Sequence, residues 1–196
     1  MQTLEKIPIR GLANKFTDEE FAAFCAANRD YRIERDKHGN IIFMSPVHSD
    51  SGFYEGEVFA MLKAWSKKTK LGVAFSSSTG FTLPNRAIRS PYASWVSMNQ
   101  WQALTEKEKK SFAPVCPDFV VEIRSKTDSL KDLQEKMLEW IENGTQLGWL
   151  IDIKSKQTYI YRADGSIEIV KGFDKILTGE NVLPGLEFEL SNLQLP

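Results

Sequence analysis

Residues 117–144, PDFVVEIRSKTDSLKDLQEKMLEWIENG, place four ionisable side chains where chemistry is possible: Asp118, Glu122, Arg124 and Lys136. The stretch reads as a buried strand, a tight connection and an amphipathic helix that folds back over it. The run Phe119-Val120-Val121 ends in Glu122, and a carboxylate in an apolar segment is costly unless it is paired or bound to a cation. Glu122 therefore has two readings, a satisfied core acid or a functional one. Alternate residues of a strand share a face, so Asp118, Val120, Glu122 and Arg124 point one way. Asp118 and Glu122 are then roughly 13 Å apart, too far to share one metal ion, whereas Glu122 and Arg124, about 6.6 Å apart, could flank one reacting group. On the helix, Leu130, Leu133, Met137, Trp140 and Ile141 form the apolar side. Lys136 lies at its edge, either snorkelling over apolar surface or turned toward the strand.

The rest of the chain supplies the elements that would position these groups. Residues 1–16 read as a loose arm with a short extended piece around Ile7–Ile9. Thr17 followed by Glu20 marks a capped helix start. Residues 31–35 and 41–44 alternate as two strands of a hairpin turning at His38-Gly39-Asn40. A long helix follows from Ser49 to Lys70, with Phe53, Val58, Met61, Leu62 and Trp65 at helical spacing. Glu57 sits beside that stripe and reads from the sequence alone as a surface acid paired with a later lysine. Strands are expected at Gly72–Phe75, Phe81–Leu83 and Tyr92–Val96, a helix from Asn99 to Lys110, then strands at 147–152 and 157–161. A hairpin across Ala163-Asp164-Gly165 and a final short strand in the tail complete the chain. No repeat or linker interrupts it, so one domain over residues 1–196 is expected. The fold class is α/β (mixed α+β), a mixed sheet with helices packed on it and an added hairpin region.

Composition narrows the function classes. The chain has 196 residues, 42% hydrophobic and 26% charged, which is the balance of an ordinary globular domain. A formal net charge of −1 gives no bulk electrostatic support for a nucleic-acid partner. Cys25 and Cys116 are far apart and lack CxxC spacing, which excludes a zinc knuckle and argues against a disulfide framework. No apolar run approaches a membrane span and no secretory h-region opens the chain, so a cytoplasmic protein is expected. Ser76-Ser77-Ser78 has no His/Asp arrangement nearby and is weak evidence for a nucleophile. His48 reads as a solvated loop residue.

The segments SSSTGFTLPN (76–85), RSPYASWVS (89–97), PDFVVEIRS (117–125), LQEKMLEWIENG (133–144) and LGWLIDI (147–153) occur in this order. Together they resemble the Uma-two family of restriction-endonuclease-like proteins, in the PD-(D/E)XK nuclease superfamily. The resemblance covers nearly the whole chain. It implies a restriction-endonuclease-like core and hydrolysis of DNA phosphodiester bonds with Mg²⁺ or Mn²⁺. It also implies DNA as the partner and a homodimer that cuts both strands.

Carried over by residue, the resemblance makes Glu57 the helix acid and Glu122 the strand acid, both metal ligands. The superfamily lysine falls at Arg124, and the family's lysine comes from the following helix as Lys136. Carboxylate-bound Mg²⁺ suits this chemistry because cleavage needs a polarised phosphoryl oxygen and an activated water. Arg124 could stabilise charge but does not surrender a proton. Where the resemblance implies an Asp after the proline of RSP, this chain has Tyr92, a poor Mg²⁺ ligand. Asp118 also follows a proline but lies far along the strand from Glu122. The resemblance therefore implies either an impaired nuclease or an inactive nuclease-fold module that binds nucleic acid or a protein partner. A glycosidase-like carboxylate pair has no support beyond the presence of two acids.

Overall fold

The computed structural model describes residues 16–44, 46, 48–125 and 128–195. The expected extended piece at Ile7–Ile9 lies outside them. Helix α1 (Asp18–Ala27) starts at a complete capping box: the Thr17 hydroxyl accepts from Glu20 N–H, and the Glu20 carboxylate accepts from Thr17 N–H. Strands β1 (Arg32–Arg35) and β2 (Ile41–Met44) form the expected antiparallel hairpin. The long helix α2 (Ser49–Thr69) ends where Lys70 adopts a left-handed conformation. Then come β3 (Gly72–Ser76), β4 (Phe81–Thr82), β5 (Ile88–Arg89) and β6 (Ala93–Ser97).

The expected helix from Asn99 to Lys110 is instead two pieces. Helix α3 (Met98–Ala103) stops at Leu104, whose backbone is extended. Thr105 then caps a single 3₁₀ turn, Glu108–Lys110, through reciprocal bonds with Glu108. The Thr-x-x-Glu box is itself a start signal, so it breaks the helix that its neighbours would otherwise continue.

The centre of the molecule is the unit β7 (Phe119–Arg124), α4 (Leu130–Glu142) and β8 (Leu147–Asp152). Strands β7 and β8 are parallel, and a parallel pair requires a crossover, here α4. Antiparallel strands β9 (Gln157–Arg162) and β10 (Ile167–Lys171) extend the sheet, giving the order β10-β9-β8-β7-β6-β3. Strands β11 (Ile176–Thr178) and β12 (Glu187–Glu189) form a separate pair, and β2-β1-β5-β4 make a third sheet.

Two cores fill the two faces of the central sheet. Val58, Leu62 and Trp65 of α2 pack with Val121, Ile123 and Trp149 on one face. Leu133, Met137 and Trp140 of α4 pack with Val120, Leu150 and Tyr161 on the other. A Cβ on Gly148 would collide with the Met137 methyl, so glycine there lets α4 lie close on β8. Among the described residues no helix is long and apolar enough to cross a membrane.

Candidate active site

Lys136 and Trp140 are one helical turn apart and share a face of α4. Both reach the same carboxylate. Lys136 Nζ lies 2.8 Å from Glu122 Oε1, and Trp140 Nε1–H donates to that oxygen at 3.1 Å. The Glu122 side chain is 1% exposed and that of Lys136 14%. Glu122 is thus paired within the unit β7–α4, and Lys136 faces the strand.

A second acid, Glu34 of β1, shares the lysine. Lys136 Nζ lies 3.0 Å from Glu34 Oε1, which also accepts from Ser90 N–H at 2.9 Å. Arg89 Nη1 reaches Glu34 Oε2 at 3.1 Å, while Arg89 Nη2 reaches Glu139 Oε2 at 2.6 Å. Asn85 Nδ2 donates to the other Glu139 oxygen at 2.9 Å. A line of alternating charges therefore runs from the hairpin through β5 to α4.

The two acids on Lys136 respond in opposite directions. Burial alone would raise Glu34, but Lys136 and Arg89 beside it, with Ser90 N–H, hold its carboxyl down at about 2. Burial raises Glu122, and Lys136 only partly offsets it because the Glu34 charge lies near. The difference follows from partners: two cations and a backbone donor for Glu34, one cation and an indole for Glu122. For Lys136, burial opposes the charged form, but Glu122 and Glu34 outweigh it and raise its pKa.

Tyr92 immediately precedes β6. Strands β6 and β7 pair antiparallel with Ala93 opposite Val121, so the register continued by one residue sets Tyr92 across from Glu122. Burial pushes the phenol pKa up, and the charges of Asp128, Glu122 and Glu55 push it further. Tyr92 is thus protonated at neutral pH. The Arg32 guanidinium stands 5.9 Å from its ring centroid.

A strand acid, a lysine from the next helix, and the residue after Pro91 thus gather at one end of β6 and β7, on a mixed sheet with helices on both faces. The model of the Uma2 family, described as "Putative restriction endonuclease", matches residues 18–193. The chain belongs to the Uma2 family. The fold of this Uma2 protein is similar to that of a solved structure from Anabaena variabilis ATCC 29413, described as "a putative nuclease belonging to DUF820". The TM-score is 0.71 at 19% identity, over 91% of this chain and 97% of that one. No curated protein matches the chain.

The other expected site residues of this Uma2 chain make no ion pair or side-chain hydrogen bond with Glu122 or Lys136 among the described residues. Glu57 is half-buried and makes no hydrogen bond or ion pair among the described residues, with Glu122, Lys136 or a later lysine. The helix acid whose charge reaches Tyr92 is Glu55, which accepts from the Ser77 hydroxyl. The buried residues of α2 include Ser51, Val58 and Leu62. Glu55 is four after Ser51 and three before Val58, inside that stripe, whereas Glu57 is rotated about 100° from Val58. Asp118 sits at the far end of β7, where its carboxylate accepts from Ser97 N–H and Gln100 Nε2, both at 2.7 Å. Arg124 is held by Asp152 across the parallel pair, at 2.8 Å.

Glu34, Arg89, Glu139, Glu55 and Asp128 are the charged groups of this region that sequence reasoning missed. For Glu55 the helical spacing becomes a signal only once the buried residues of α2 are known. The others depend on contacts between segments remote in sequence. Among the described residues, no three His, Cys, Asp or Glu side chains lie close enough to hold a metal ion. One Glu122 oxygen is already engaged by Lys136 and Trp140, and its neighbour Tyr92 is a protonated phenol. This arrangement does not fit a resident Mg²⁺ or Mn²⁺.

Proposed function

We propose that this Uma2 protein is an impaired DNA nuclease, with Glu122 and Lys136 as the retained half of a phosphodiester-cleaving site. One observation carries the reading. The Glu122 charge reaches a protonated phenol, Tyr92, at the position where the resemblance calls for a carboxylate. Lys136 is charged and placed to neutralise a phosphoryl oxygen brought to Glu122. Arg124 takes no part, because Asp152 and the Asp128 carbonyl hold its guanidinium. Glu55 replaces Glu57 as the acid contributed by α2. The reading takes duplex DNA as the substrate and a homodimer as the assembly that addresses both strands.

A second reading has its own support. Two carboxylates compensate Lys136 in a buried setting, as in a structural ion cluster, and this favours an inactive module that binds nucleic acid or a protein partner. Plasmid nicking in Mn²⁺ separates the two. The first reading expects Tyr92→Asp to nick supercoiled plasmid measurably faster than the parent, and Tyr92→Asp/Lys136→Met to lose that gain. A Tyr92→Asp protein that folds and nicks no faster than the parent overturns the impaired-nuclease reading in favour of the second.

A further inference from the structure

Three donors converge on one carboxylate in this protein. Lys136 Nζ and Ser90 N–H both reach Glu34 Oε1, at 3.0 and 2.9 Å, and Arg89 Nη1 reaches Oε2 at 3.1 Å. Each donor also has an anchor other than Glu34. Arg89 rests on Glu139 through Nε and Nη2. Lys136 rests on Glu122, and Ser90 N–H is set by the backbone just after β5. Each group of the cradle therefore has a hold that does not depend on Glu34.

An ammonium, a guanidinium and a backbone N–H aimed at one point recognise a phosphoryl oxyanion as readily as a carboxylate. The carboxylate that fills the cradle comes from β1, which belongs to a different sheet from β7. Arg32, two residues earlier and hence on the same strand face, stands over the Tyr92 ring. Strand β1 thus covers both the Tyr92 and the Lys136 sides of the candidate active site.

We propose that Lys136, Arg89 and Ser90 N–H form a phosphate-binding cradle, and that Glu34 fills it as an internal stand-in for a phosphoryl group. The ligand class is a phosphoryl oxyanion, as free phosphate or as a backbone phosphate of DNA. The proposal deepens the nuclease reading by naming what Lys136 holds, but it concerns anion binding without metal.

The experiment is therefore run in a chelator at constant ionic strength, with Tyr92 retained throughout. The parent and Glu34→Ala are titrated calorimetrically with inorganic phosphate and, separately, with a short DNA duplex. Glu34→Ala is expected to bind phosphate at least about tenfold more tightly than the parent, and adding Lys136→Met is expected to remove the gain. A gain with phosphate alone supports a free-anion site, and a gain with duplex as well supports a backbone-phosphate site. Equal binding by the parent and Glu34→Ala overturns the cradle. If Glu34→Ala does not fold, Glu34→Gln decides, since it keeps the volume and removes the charge. A gain in duplex affinity then supports the cradle, and no gain overturns it. Because no metal is present, a null result here leaves the Tyr92 comparison standing, and the reverse also holds.

Discussion

Two strands of the central sheet are entered through a proline and a polar residue, Pro91-Tyr92 before β6 and Pro117-Asp118 before β7. The strands are antiparallel, so the two positions lie at opposite ends of the sheet. Pro117 brings an acid to the end without chemistry. There Asp118 accepts from Ser97 N–H just before α3 and from Gln100 within it, which ties down the start of that helix. Pro91 brings a phenol to the end where Glu122, Lys136, Glu34 and Arg89 gather. A Pro-Asp dipeptide is therefore not a site by itself. What decides its role is which end of which strand it enters, and strand pairing fixes that.

If the Glu122 end is a tightly compensated charge cluster and the Asp118 end a local cap, their stabilities should differ in kind. The largest effect is expected for Lys136→Ala, which leaves the buried Glu122 without a cation and Glu34 with Arg89 as its one remaining cation. It should lower unfolding free energy by about 3–5 kcal/mol in urea denaturation. A loss under about 1 kcal/mol would mean that the cluster behaves as a surface ion pair. Asp118→Ala should cost less, about 1–2 kcal/mol, through loss of the bonds from Ser97 N–H and Gln100. Equal losses for the two variants would erase the contrast between the ends.

A third effect is a pH signature of the same cluster. Glu34 is lowered from its ordinary 4.5 to about 2 in the folded protein. Its stabilisation is thus fully present above pH 4.5 and is lost as pH falls toward about 2. Unfolding free energy measured across that window should fall less steeply for Glu34→Gln than for the parent. Parallel curves would show that Lys136 and Arg89 do not hold the Glu34 carboxyl down.

Local signals in the sequence were reliable where the structure is local. The Thr17 capping box, the 31–44 hairpin and the span of α2 follow from caps, turns and periodicity within a few residues. The Thr105–Glu108 run reads from the sequence as a capped helix, but not as the break at Leu104 that separates it from α3. Lys136 against Glu122 was legible because helix and strand belong to one βαβ unit. Glu34 was not, since its partner Lys136 is 102 residues away, and strand alternation says only that it shares a face with Arg32. The choice between Glu55 and Glu57 rests on a rotation of half a helical turn, which the apolar stripe of α2 resolves only once its buried members are known.

In the proposed site, Tyr92 occupies the place of a missing ligand near Glu122. Calorimetric titration of Mn²⁺ into the parent, Tyr92→Asp and Tyr92→Asp/Glu122→Ala tests it most directly. No more than weak binding is expected of the parent, with at least about tenfold tighter binding by Tyr92→Asp and loss of that gain in the double variant. A folded Tyr92→Asp protein that binds Mn²⁺ no better than the parent, or a gain that survives Glu122→Ala, would contradict it.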